Sequence, residues 1–191
     1  MRVNKYIFIF LISILVLSCK QGDTTSIDDK LFEYQEKGWK SNSITHFINH
    51  INYTATEVPL EYYLLKNEAK DKIDSIYKLH ERERVLEVEF QHTTEKNLLL
   101  SDYTHRDYRE SVEYMAFTIK KDFQVITTTS KDTILCSGVL FERNFKVAPF
   151  KRLLLYFDGI DPDDSIKLLY DDQLFGNGLL KFNFSERPIK L

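Results

Sequence analysis

The sequence predicts an α+β fold, with N-terminal helices packed on an antiparallel β-sheet or β-sandwich of about seven or eight strands. Two observations carry this expectation. Between residues 28 and 84 the apolar side chains recur at helical spacing, whereas after Arg84 they alternate with polar ones at a period of two. No Pro, Gly or Ser linker separates the halves at Arg84-Val85. One domain over residues 30–191 is therefore the economical reading, helical over 30–84 and β-rich over 85–191.

Three segments make up the helical half. DDKLFEYQEKGW opens with Asp28 or Asp29 as N-cap and stops at Gly38. In SITHFINHI, Ile44, Phe47, Ile48 and Ile51 fall at i, i+3, i+4 and i+7, with Ser43 placed to cap. The third segment runs from Pro59, tolerated in a first turn, to His80. Tyr62, Leu65, Ala69, Ile73, Ile76 and Leu79 continue one face along it, and Glu68 with Lys72 adds an i, i+4 ion pair on the other side.

The β half begins with Leu86, Val88 and Phe90 alternating with Glu87 and Glu89. Met115, Phe117 and Ile119 repeat the pattern, and Lys120-Lys121-Asp122 reads as a hairpin turn. Ser130-Lys131-Asp132 reads as another turn before the strand TILCSGVLF. The unbroken apolar run of RLLLYFD predicts a strand buried on both faces, followed by IKLLY and LLKFNF. Gly176-Asn177-Gly178 supplies the positive φ angles of a tight connection into the last strand.

The first nineteen residues carry a different message. Arg2 and Lys5 precede an apolar run from Tyr6 to Leu17, and no acidic residue occurs before Cys19. That order is the one secretory signal peptides follow, and the run is shorter than the ~20 residues a membrane-crossing helix needs. Val16-Leu17-Ser18-Cys19 resembles the lipobox of bacterial lipoproteins. The resemblance implies cleavage after residue 18, acylation of the Cys19 thiol, and anchorage to a membrane, since two or more acyl chains hold a protein there stably. Residues 19–29 then read as the lipidated cysteine and a short polar tether. Lys20 stands where enteric lipoproteins retained in the inner membrane carry an aspartate, so the outer membrane is the expected site, on its periplasmic or its cell-surface face.

Composition narrows the partners. The chain has 191 residues, 43% hydrophobic and 14% aromatic, enough for one full core. Its net charge is −3, and loss of Arg2 and Lys5 with the signal would make it −5. A mildly acidic chain is a poor match for nucleic acid or for a polybasic grip on anionic lipid. Of the two cysteines, lipidation of Cys19 would leave Cys136 without a disulfide partner, and its place in a strand-like run marks it as a small buried hydrophobe.

Candidates for chemistry are few. His46 and His50 stand at the i, i+4 spacing of zinc helices, but no glutamate or third ligand follows, and helical geometry turns both to solvent opposite the apolar stripe. Asp158, Asp161, Asp163 and Asp164 crowd FDGIDPDDS, a weak calcium candidate without EF-hand spacing and a natural exposed turn. His105-Arg106-Asp107 matches a kinase tripeptide, but no Gly-rich loop accompanies it. Nucleophile-elbow and phosphate-loop motifs are absent from the sequence, and no cofactor is expected. SDYTHRDYRESVEY mixes tyrosines and arginines as interface cores do, and Tyr103, Arg106, Tyr108 and Arg109 are its interaction candidates. The expected function is a lipid-anchored, non-enzymatic protein-interaction module with an envelope protein as partner, either an accessory subunit or an immunity-type protein. A carbohydrate or small-ligand binder and an envelope hydrolase using dispersed carboxylates are the alternatives.

Overall fold

The computed structural model describes residues 43–67, 73–143 and 148–185, and it is mainly β: nine strands in two antiparallel sheets, with few helices. In chain order the elements are β1 (Ser43–Ile48), β2 (Ile51–Val58), α1 (Leu60–Asn67), α2 (Ile73–His80), β3 (Arg84–His92), α3 (Ser101–Thr104) and α4 (Tyr108–Glu113). A π-helical turn over Tyr114–Thr118 and a 3₁₀ turn over Ile119–Asp122 follow. Then come β4 (Phe123–Thr127), β5 (Thr133–Leu135), β6 (Gly138–Glu142), β7 (Phe150–Phe157), β8 (Ile166–Asp172) and β9 (Gly178–Phe184). One sheet has the order β1-β2-β3-β7-β6, the other β5-β4-β8-β9.

The N-terminal helices are the main correction. DDKLFEYQEKGW lies outside the described residues, as do the Cys19 lipidation site and the tether. SITHFINHI is not a helix: it forms β1 and enters β2 through a two-residue turn, with Ser43 paired to Thr56 and Ile48 to Ile51. Asn49 and His50 take φ of 48° and 66°, the doubly positive pair of a type I′ hairpin turn. The helical spacing was coincidental. Ile44 and Ile48 pack toward the core on one face of β1, Ile51 lies across the turn, and Phe47 faces solvent. β-Branched residues at Ile44, Thr45, Ile48, Ile51 and Thr54 suit the pleated surface better than a helix.

The segment from Pro59 to His80 is helical in two described pieces, α1 and α2. Among its described residues Pro59, Tyr62 and Leu64 are buried, which places Leu64 where the expected stripe had none, while Leu79 is 81% exposed. Tyr62 packs with Val58, Val85, Leu154 and Tyr156 on the outside of the five-stranded sheet, so α1 covers part of that face. This explains the apolar run of β7: Leu153, Leu155 and Phe157 fill the core, while Leu154 and Tyr156 meet α1.

Met115, Phe117 and Ile119 do not alternate along a strand. Ser111, Met115 and Ile119 are fully buried at steps of four, and Phe117 between them points to water. Lys120-Lys121-Asp122 is accordingly a 3₁₀ turn instead of a hairpin turn. TILCSGVLF breaks at Cys136-Ser137: β5 pairs with β4 in one sheet and β6 with β7 in the other, the chain crossing between sheets as strands do at a sandwich corner. The turn at 130–132 joins β4 to β5, and Gly176 and Gly178 take φ of 74° and 75° at the entry to β9, both as expected.

The core lies between the sheets. Tyr53 and Phe90 of one sheet meet Tyr170 of the other at ring separations of 6.2 and 5.8 Å, and Phe123 stacks on Tyr170 at 4.3 Å. A carboxylate is buried beside them. Asp172 accepts hydrogen bonds from the hydroxyls of Tyr53 (2.7 Å) and Tyr170 (2.8 Å) and from the backbone N–H groups of Leu174, Phe175 and Asn177. The Asn177 side chain donates in turn to the Tyr53 oxygen at 2.5 Å. Five donors around one carboxylate meet its demand without a cation, and they tie the sheets together across the core.

Candidate functional site

The chain between β3 and β4 leaves the sandwich as a helical arm, and the residues that sequence spacing marked for interaction divide there into two roles. Asp107 caps α4 through a capping box: its carboxylate accepts from the Glu110 N–H at 2.8 Å, and the Glu110 carboxylate accepts from the Asp107 N–H at 3.1 Å. His105, at φ 55°, turns the chain between the two short helices, and the Thr104 and Ser111 hydroxyls bond across the angle at 2.8 Å. Arg106 lies 4.4 Å over the Tyr114 ring and donates to the Gln173 carbonyl, fixing the arm to the β8–β9 turn. Tyr103 packs edge-on against His92 at 5.2 Å. Both side chains therefore brace the arm.

Tyr108 and Arg109 face outward. Arg109 and Glu113 are an exposed i, i+4 ion pair at 2.9 Å, and Phe117 follows at the next step of four, 72% exposed in the π-helical turn. Sequence reasoning missed Phe117, because alternation with Met115 and Ile119 assigned it to a strand. At the base of the arm the Tyr114 hydroxyl donates to Asp122 at 2.6 Å. Burial, aided by the nearby Asp171 and Asp172 charges, pushes the Asp122 carboxyl up to about 6 against that hydrogen bond.

The two candidate histidines are not brought together. His46 turns inward from β1, packs at a tilt against Phe182 at 4.7 Å, and donates from Nε2 to the Lys181 carbonyl at 2.8 Å, joining β1 to β9 where the two sheets meet edge to edge. His50 sits in the exposed hairpin turn, its ring 6.1 Å from that of His92. Among the described residues, no group of three or more His, Cys, Asp or Glu is placed to hold a metal ion.

The acidic loop joins β7 to β8, and its shape comes from the chain's own bonds. Arg84 is buried at the start of β3; one Nη bonds Glu57 at 2.9 Å and the other donates to the carbonyls of Asp161, Pro162 and Asp164. Burial raises the Glu57 carboxyl to about 7 even with Arg84 beside it. Asp161 accepts from the Asp163 N–H, as in an Asx turn. Asp164 is buried, which works against its charge, but bonds from the hydroxyls of Thr129 and Thr128 and from the Thr129 N–H hold its carboxyl below the usual range. Beside this loop, the β4–β5 turn and Arg82 enclose an open polar groove of about 430 Å³ that includes Ser130, Asp132 and Ile134. Asp132 and Ser130 carried only a turn signal in the sequence, so their place in a concavity was not legible there. Cys136 is buried, its thiol pushed up to about 11 by burial, which makes it a poor nucleophile.

No protein-family model, no curated protein and no solved structure matches the chain.

Proposed function

We propose that the chain is an outer-membrane lipoprotein anchored through acylated Cys19, and that its β-rich domain is a non-enzymatic module for binding another envelope protein. The observation that carries this reading is the braced arm. A capping box, a hydroxyl pair and the Arg106–Tyr114 stack hold the arm in one conformation, and the arm displays Tyr108 and Arg109 on α4 and Phe117 on the π-helical turn that follows. A rigid platform lowers the ordering cost of association, and large aromatic and Arg side chains supply most of the contact energy in protein interfaces. The lipobox-like Val16–Cys19 supports the anchor, and the acidic net charge agrees with a partner that is neither nucleic acid nor bare anionic lipid.

The test is crosslinking in intact cells followed by purification of the lipidated protein and mass spectrometry of what accompanies it. A recurrent envelope protein, lost both with Cys19→Ser and with a Tyr108→Ala/Phe117→Ala double variant, is the expected result. A partner retained by the double variant would move the interface elsewhere, and recovery of no protein would count against the interaction reading.

A further inference from the structure

We propose that the groove between the β4–β5 turn and the β7–β8 loop binds a neutral polyhydroxylated ligand, a sugar or the end of a glycan, independently of any protein partner of the arm. Its lining carries both signs of charge, Arg82 among Asp132, Asp161, Asp163 and Asp164. Arg82 gives one Nη to the Gly159 carbonyl at 3.0 Å, and Asp132, exposed across the groove, engages the chain through its backbone while no described side chain takes its carboxylate. A guanidinium and a carboxylate are planar, two-pronged groups, one donating and one accepting, and adjacent hydroxyls of a sugar ring both donate and accept at matching separation. The hydroxyls of Thr129 and Ser130 add further partners, and Ile134 gives an apolar patch for the C–H face of a ring.

The arrangement of the lining argues against ions of either sign. Of the carboxylates along the groove, Asp164 already receives three bonds on one oxygen and Asp161 receives one from the Asp163 N–H. Among the described residues no group of three or more His, Cys, Asp or Glu is placed to hold a metal ion, and the aspartates disfavour an anion. A neutral ligand that donates as well as accepts satisfies both signs of charge. The side chains are held ready, because Arg84 fixes the β7–β8 loop from beneath and Ser130 bonds the Thr127 hydroxyl at 2.6 Å.

Saturation-transfer NMR on the full chain in detergent, with maltose and chitobiose as the probes and calcium chloride alone as a third arm, tests this. The expected result is transfer to the ring protons of at least one sugar, with affinity weakened about tenfold or more by Asp132→Asn at unchanged melting temperature. Arg82→Gln gives the second measurement should Asp132→Asn fold poorly, and it is expected to weaken binding comparably. Absence of transfer from both sugars overturns the proposal. So does transfer unaffected by either variant, or a melting temperature raised by calcium chloride and by neither sugar. Loss of the protein partner in the arm variants would leave this result unchanged, so the two readings fail separately.

Discussion

Removing the Tyr53 hydroxyl is the sharpest test of how the two sheets are joined. In Tyr53→Phe the ring keeps its place against Phe90 and Tyr170, and the change deletes the 2.7 Å bond to the buried Asp172. Hydrogen bonds to charged groups contribute about 1.5–3 kcal/mol. Asp172 retains Tyr170 and three backbone donors, and the partly exposed Asn177 amide can turn to water, so the loss falls near the middle of that range. For a chain of this length each kcal/mol moves the melting temperature by about 2–4 °C, which makes the expected fall about 5–9 °C. Chemical denaturation should show a lower midpoint at unchanged slope. Asp172→Ala should cost more, since five donors lose one acceptor, and adding Tyr53→Phe to it should cost almost nothing further. If the double variant instead shows the sum of the two single losses, the bond contributes nothing as a pair and the account of inter-sheet joining is wrong.

Three further expectations concern other elements. Phe117→Ala should leave the melting temperature within about 1–2 °C, because a side chain exposed to solvent contributes little, while complex formation in cells falls; a large thermal loss would make Phe117 structural. His50→Gly should stabilise by about 0.5–1 kcal/mol in denaturant titration, since the second turn position needs positive φ and Asn-Gly suits it best; destabilisation would show that the His50–His92 contact outweighs the strain. The Glu57 carboxyl, raised to about 7 in the fold, binds a proton that the unfolded chain releases at lower pH. Its contribution is therefore present in acid and lost as pH rises through that value. Melting temperatures compared at about pH 5 and about pH 8 should differ less in Glu57→Gln than in the unaltered chain, and an identical difference would refute the assignment.

The β half was legible where core residues alternate with charged ones along a strand. Leu86, Val88 and Phe90 enter the core as their alternation implies, and Gly176 and Gly178 at the entry to β9 take the positive φ that their turn requires. Legibility failed where two periods fit the same residues. Ile44, Phe47, Ile48 and Ile51 satisfy a helical stripe, yet a two-residue turn at Asn49-His50 folds them into a hairpin, and an Asn-His pair is a far weaker turn signal than Asn-Gly. Met115 and Ile119 satisfy both a strand and a helix, and only the burial of Ser111 at the preceding step decides between them. The roles of Tyr103 and Arg106 depend on His92, Tyr114 and Gln173, and the groove joins Arg82 to residues some fifty to eighty positions later. Such meetings are made by topology and leave no spacing to read.

The crossing at Cys136-Ser137 bears on how the protein can be cut. Two residues span at most about 7 Å of extended chain, so β5 and β6 hold the layers at a fixed distance. The connections from β3 to β4 and from β7 to β8 also pass from one layer to the other. Spatial halves and sequence halves therefore do not coincide: a fragment ending after β7 keeps the five-stranded layer whole but only β5 and β4 of the other, and the core aromatics lose Tyr170 and Phe182. The architecture behaves like a woven fabric, in which no single thread can be drawn out without loosening both sides.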